Sequence, residues 1–164
     1  MSVVDERDLE WSELERGEAH FRRKRLAAAA GGDRLGCSLY ELPPGGKSWP
    51  FHYHAGNEEA LYVLDGRGRI RIGDDERSLK PGTYVALPAD ESGAHRVVND
   101  SSEPLRYLAF STMREPDVTV YPDSEKVGVF AGSPPGSDEP RDVHGYFRLA
   151  DAVDYWEGEE SAEK

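Results

Sequence analysis

Along the middle of the chain, apolar and polar residues alternate in short runs that glycine and proline cut at close intervals. The breaks fall at Pro43-Pro44-Gly45-Gly46, Gly66 and Gly68, Gly73-Asp74-Asp75, Pro81-Gly82, Pro88 through Gly93, and Asn99 through Pro104. Between them lie Leu35–Leu42, Ala60–Leu64, Arg69–Ile72, Thr83–Leu87 and Leu105–Ser111. Short, evenly spaced strands with Gly/Pro turns predict an all-β sandwich or barrel. The run Arg69-Ile70-Arg71-Ile72 alternates cleanly, as a strand with one wet face does. The ends read differently. Residues 1–30 form an N-terminal arm whose acidic start includes Ser12 and Glu15, spaced as a capping box that opens a helical turn. Residues 31–114 hold the barrel, and residues 115–164 form a C-terminal arm packing on that barrel or on a partner's. Within this arm residues 132–143 read as a loop. Leu149, Ala152, Val153 and Trp156 fall at helical spacing and predict a short helix, with fraying from Glu157.

Composition narrows the classes. A chain of 164 residues suits one domain and needs no disulfide to fold. Its single cysteine, Cys37, excludes a disulfide scaffold and points to a reducing, cytoplasmic setting. The net charge of −12 argues against nucleic acid and anionic membrane surfaces as partners. No apolar run is long enough to span a bilayer, and the acidic N-terminus lacks a signal-peptide pattern. Acidic residues outnumber basic ones 32 to 20. Such a surface repels itself unless counterions screen it, so the chain is expected to come from a salt-accumulating cytoplasm.

The chemistry concentrates in three of the five histidines. His52 and His54, one residue apart, present both imidazoles on one face of a strand. After the turn Ala55-Gly56-Asn57, Glu59 opens the next strand and returns to the same face. Leu61 and Val63 share that face, so the carboxylate there needs a partner. Further on, His95 shares a face with Val97 and also points toward apolar surroundings. Three imidazoles and a carboxylate, without thiolate, fit one divalent transition metal ion. Ligand type alone leaves Fe²⁺, Mn²⁺, Ni²⁺, Zn²⁺ and Cu²⁺ open. Four protein ligands on an octahedral ion leave two positions for water or substrate. Glu58, one step off the Glu59 face, reads as a rim carboxylate, and Phe51 and Tyr53 should face away from the metal. Trp49 is read as a core aromatic, with the barrel mouth as its alternative, and Cys37 as a small core residue. His20 and His144 read as surface or packing residues; Arg23 and Lys126 read as solvated surface charge, with binding of an anionic substrate as their alternative.

The first block resembles the first motif of the cupin superfamily, Gly-x5-His-x-His-x4-Glu-x6-Gly, filled by Gly46, His52, His54, Glu59 and Gly66. The later segment resembles the second cupin motif, filled by Gly82, Pro88, Gly93, His95 and Asn99. The loop from Pro88 to His95 is about two residues longer than that pattern, with Asp90 where a glycine often stands. The resemblance covers residues 35–112. It implies a double-stranded β-helix, or jelly-roll barrel, with metal ligands His52, His54, Glu59 and His95. It also implies a small-molecule ligand and pairing as a homodimer through the apolar arms. Cupins span many activities, and fold does not choose among them. The stretch Ser48–His54 and the later Tyr121–Gly128 are similar to small cupins loosely called sugar-phosphate isomerases. Three classes stay open: a metal-dependent isomerase or epimerase on a small polar metabolite, an Fe²⁺ dioxygenase, and a binding module without turnover. Nothing in the sequence singles out catalytic residues.

Overall fold

The computed structural model describes residues 3–137 and 139–159. A first hairpin pairs β1 (Ser12–Arg16) with β2 (Ala19–Arg25). A one-turn helix, α1 (Leu26–Ala29), then leads to β3 (Gly36–Leu42). Next come β4 (Tyr53–His54), β5 (Glu59–Asp65), β6 (Gly68–Ile72) and β7 (Asp75–Leu79). The chain continues through β8 (Tyr84–Leu87), β9 (His95–Val98) and β10 (Leu105–Ser111). It ends in β11 (Asp117–Tyr121), β12 (Lys126–Ala131) and β13 (Val143–Arg148).

Two layers result. The first is a six-stranded sheet in the order β1-β2-β3-β10-β5-β8, antiparallel throughout. The second joins the order β7-β6-β9 to the order β4-β11-β12-β13. The seam is the segment from Gly46 to His52, which runs along β9. Bridges at Lys47↔Val98 and His52↔His95 hold it, with His95 N–H donating to His52 O at 2.9 Å. The layers enclose a core that includes Phe21, Leu42, Val63, Ile70, Val97 and Leu105, each at most 2 % exposed. This is the all-β architecture expected from the alternation, which arises because each layer buries one face, and the jelly roll that the resemblance implies. No helix among the described residues is long and apolar enough to cross a membrane.

The expected strands appear within a residue or two of their expected ends, because Gly and Pro stop strands sharply. Gly66 shows why: at φ +80°, a Cβ there would lie 2.1 Å from Pro104 O. Two expectations give way. Ser12 does not cap a helix; its hydroxyl donates across the hairpin to Arg23 O at 3.1 Å. Leu14 between two glutamates alternates, and Leu14 packs on the core, so strand burial outweighs the capping pattern. The C-terminal helix is likewise absent. Leu149–Asp151 form a single 3-10 turn, and Leu149, Val153 and Trp156 stay 58–66 % exposed. Helical spacing without a surface to cover gains too little to pay for nucleation. From Glu157 only a turn to Glu159 is described, and residues 160–164 lie outside the described residues.

The acidic N-terminus is tied down. The Glu6 carbonyl and carboxylate receive the ammonium of Lys24, at 2.6 and 3.2 Å, although Lys24 is 7 % exposed. Arg106 reaches the same carboxylate at 3.2 Å. Strand β11, from the segment read as an arm, pairs directly with β4 through Thr119↔His54.

Candidate metal centre

The second layer brings three of the candidate ligands to one point. His52 sits on the seam, paired with His95, and His54 follows on β4. Alternation therefore turns both rings inward, and they are 7 and 8 % exposed. Glu59 approaches from the first residue of β5, in the opposite layer. Donor atoms of His52, His54 and Glu59 lie within 4.8 Å of one another. His95 Nε2 is 3.7 Å from Glu59 Oε2, and His54 Nε2 is 3.6 Å from the same oxygen. The rings of His52 and His95 are 4.9 Å apart.

Each imidazole is oriented through its other nitrogen. His52 Nδ1 donates to Pro50 O at 2.8 Å, and His95 Nδ1 to Gly93 O at 2.9 Å. His54 Nδ1 faces Asp117 Oδ2 at 2.6 Å, with Thr119 Oγ1 at 3.1 Å. With Nδ1 carrying the proton, each ring offers the Nε2 lone pair to the common centre, as metal-binding histidines do. Separations of 3.6 and 3.7 Å are too long for hydrogen bonds. They suit donors around one ion, whose neighbouring ligand atoms stand roughly 3 to 3.5 Å apart. The donor set fits a divalent transition metal.

Charge follows the same logic. Burial, then repulsion from His95 and His54, holds His52 well below the usual imidazole value. Burial also lowers His95, against the pull of Glu59. In His54 burial is the largest influence, yet the Asp117 hydrogen bond and the charges of Glu59 and Asp117 together raise it. Asp117 is fully buried, and burial alone would raise its carboxyl. Its bonds from His54 and from Gly56 N–H at 2.9 Å lower it instead.

The longer loop before His95 is accommodated by a 3-10 turn, Glu91–Gly93, that Asp90 caps by accepting from Ser92 N–H at 2.8 Å. Gly93 has to be glycine, since a Cβ there would lie 2.1 Å from Pro88 O. Its carbonyl then aims His95. Asn99 holds the other end of β9 and is not part of the cluster.

A cavity of about 820 Å³ opens above the cluster. Tyr40, Tyr107, Trp49, Tyr121, Phe130 and Tyr146 supply aromatic walls. Trp49 combines both of its expected roles: it packs edge-on against Phe21 at 4.8 Å and also lines the cavity. Glu58 is exposed, as a rim residue would be. Phe51 is buried beneath Arg71, at 3.7 Å, away from the cavity. Cys37 is half-buried on the cavity wall rather than in the core. His20 stays near the surface beside Glu13, at 3.6 Å. His144 is an exposed packing residue as read, 4.9 Å from Phe130 and 5.5 Å from Tyr146, and it also lines the cavity.

Sequence reasoning missed Asp117, Thr119, Tyr121 and His144. All four come from strands after residue 115, where no motif marks them. The alternation Asp117-Val118-Thr119-Val120-Tyr121 was the available signal, since it places three polar side chains on one face.

Residues 38–111 match the sequence model of the cupin domain. An uncharacterized protein of Methanocaldococcus jannaschii is 29 % identical over 70 residues, which are 43 % of this chain and 54 % of that protein. The match thus spans about half the length of that relative. A solved structure from Acidithiobacillus ferrooxidans, whose name gives sugar phosphate isomerase as a provisional assignment, is 29 % identical with a TM-score of 0.72. The similarity covers 83 % of this chain and 81 % of that one. A structure from Silicibacter pomeroyi, named as a sugar phosphate isomerase from a cupin superfamily, is 23 % identical with a TM-score of 0.78. It covers 92 % of this chain and 94 % of its own, and at that identity it speaks for the fold.

Proposed function

The chain belongs to the cupin superfamily through its domain at residues 38–111, and from that premise we propose a metal-dependent enzyme of the isomerase or epimerase type acting on a small polar carbonyl metabolite. His52, His54, Glu59 and His95 hold one divalent transition metal ion. The observation that carries this reading is the occupation of all three Nδ1 atoms, by Pro50 O, Asp117 and Gly93 O, which leaves the Nε2 atoms free, those of His54 and His95 at 3.6 and 3.7 Å from Glu59 and a His52 donor within 4.8 Å of it. Bound there, the ion would supply Lewis-acid polarisation of a substrate carbonyl. The protein does the rest. Asp117 and Thr119 fix the His54 ring. Tyr121 lies over the His52 ring, with centroids 5.9 Å apart and planes at 21°, and shields it from solvent. Burial, then Tyr146, keeps the Tyr121 phenol protonated, so it remains a donor. His144 lies on the cavity wall outside the cluster, and its imidazole moves the proton at the substrate carbon. The name of the Acidithiobacillus relative, a sugar phosphate isomerase by provisional assignment, supports the isomerase reading.

The test begins with elemental analysis of protein purified without a metal-affinity tag. The loaded protein is then incubated with aldoses and aldose phosphates in D₂O. Exchange of the hydrogen next to the carbonyl is expected, and His144→Ala should slow it about 100-fold at unchanged metal content. Iron-dependent consumption of oxygen in place of exchange would move the chain to the dioxygenases. Ligand binding without either reaction would make it a binding module.

We assign the assembly as a homodimer. Val143, Tyr146 and Phe147 on the edge strand β13 are each more than half exposed, and a second copy would cover them. Light scattering at micromolar concentration should report about twice the chain mass of 18.2 kDa. A particle of single-chain mass would refute this.

The acidic surface fits a salt-rich cytoplasm. Several acidic residues at the turns have partners: Asp75 with Arg77 at 2.9 Å, and Glu76 and Asp100 with Arg69 at 3.2 and 3.7 Å. Salt weakens those attractions, but with a net charge of −12 it weakens more repulsion than attraction. The melting temperature should therefore rise from 10 mM to molar KCl, also in a chain truncated after Trp156. The N-terminal end must be kept, because Glu6 holds Lys24. A flat response in the truncated chain would confine the effect to the tail and end the halophile reading.

A further inference from the structure

The inner face of β2 changes character along its length. Ala19 and Phe21 are buried in the core, but the next inward position is Arg23, which lines the cavity. Strand register places Arg23 opposite Tyr40, Tyr40 opposite Tyr107, and Tyr107 opposite Val63, in one row across the sheet. A half-buried guanidinium facing a barrel interior needs a counter-charge. Arg22, Arg71, Arg77, Arg96 and Arg106 all have carboxylate partners. Arg23 makes no ion pair with a carboxylate of the described residues; its guanidinium only packs over Trp49, 5.5 Å from the ring. Arg16, Arg34, Arg67, Arg114 and Arg148 likewise pair with no carboxylate of the described residues, but none of them lines the cavity.

Tyr107, in the same row, shows a second vacancy. It is 3 % exposed and lines the cavity, yet its hydroxyl makes no hydrogen bond with the described residues. The Tyr40 hydroxyl beside it accepts the Trp49 indole N–H at 3.1 Å. The Tyr40 and Tyr107 rings lie parallel, at 4°, with centroids 5.3 Å apart. Burial, then the negative charge of neighbouring groups including Glu59, keeps the Tyr107 phenol protonated. It is therefore a donor without an acceptor, in one row with a cation that has no anion and two strands away from it across Tyr40.

Building on the metal-dependent reading above, we propose that this cavity takes a small metabolite bearing a carboxylate, which Arg23 pairs through its planar fork and the Tyr107 hydroxyl binds by a hydrogen bond. The other cations of the wall are committed. Arg141 spends its guanidinium on the Ser133, Pro134 and Ser137 carbonyls, at 3.0–3.3 Å. Arg25 has an interaction of its own. One available guanidinium and one neutral hydroxyl match a monoanion. A phosphate dianion would leave a net negative charge among aromatic rings.

Three sugars that differ only at C6 test this: glucuronate, glucose and glucose 6-phosphate, titrated calorimetrically into metal-loaded protein. Glucuronate should bind tightest. Arg23→Gln should weaken it by about tenfold to a hundredfold and Tyr107→Phe by about three- to tenfold, with glucose little changed. Arg23→Lys, which keeps the charge and the packing over Trp49, should recover part of the loss and guards against a folding defect. Glucuronate binding no tighter than glucose, or unchanged in Arg23→Gln, overturns the proposal. So does tighter, Arg23-dependent binding of glucose 6-phosphate. Metal content, measured on the same samples, reads the metal centre separately. A chain without metal that still prefers glucuronate through Arg23 would refute the enzymatic reading and leave this inference standing.

Discussion

Alanine at His52, His54 or His95 should each take bound divalent metal from about one ion per chain to a small fraction of that. Each removes one of three nitrogens that the fold has already oriented. A site left with three ligands binds far more weakly, because alanine supplies no donor atom. Asp117→Asn tests the support of the site. The carboxylate accepts from His54 Nδ1 at 2.6 Å and is fully buried. An amide there can no longer offer two acceptor oxygens, and metal affinity should fall about 10- to 100-fold. His20→Ala, near the surface at 3.6 Å from Glu13, should change nothing. Elemental analysis and a competitive chelator titration read all of these. Full occupancy in His95→Ala would remove that residue from the ligand set. The chelated protein should stay folded by circular dichroism, since the core between the layers is built without the cluster. Unfolding on chelation would instead make the metal structural.

Asn99→Ala should be the most destabilising change outside the core. The side chain is fully buried and makes four hydrogen bonds. Its amide donates to Leu42 O at 2.9 Å and Glu103 O at 2.8 Å, and its oxygen accepts from Ser101 N–H and Oγ at 3.0 and 2.8 Å. It thus ties the end of β3 to the turn between β9 and β10. Alanine leaves a buried carbonyl and a backbone N–H without partners and a cavity where the amide stood. A loss of about 3 kcal/mol is expected. For a domain of this size that lowers the melting temperature by roughly 6–12 °C. Metal content at low temperature should be unchanged, because Asn99 touches no candidate ligand. A melting temperature within about 2 °C of the parent would mean that water replaces the amide and that the residue is dispensable.

The sequence alone determined the strands and most of the cluster, for one reason: both depend on short-range periodicity. Gly and Pro stop strands locally. A two-residue period also decides that His52 and His54 share a face, so the strand Leu105–Ser111 and the pair of imidazoles were equally legible. The spacing of the two motifs then linked His95 and Glu59 to that pair. Where local patterns competed with burial, the tertiary structure decided. Ser12 and Glu15 fit a helix start, yet Leu14 finds the core only as part of a strand. Leu149 to Trp156 fit a helix, yet nothing among the described residues covers their apolar face. Asp117, Thr119 and His144 reach the site only because β11 pairs with β4, and β12 and β13 follow beside it, sixty to ninety residues along the chain from His54. Arg23 in the sequence is one arginine among several in a basic run. Only the register across β2, β3 and β10 sets it in one row with Tyr40 and Tyr107, on the wall of a cavity and without a carboxylate among the described residues. Periodicity can state which face a residue takes. What lies opposite that face is decided by long-range pairing, and no local pattern encodes it.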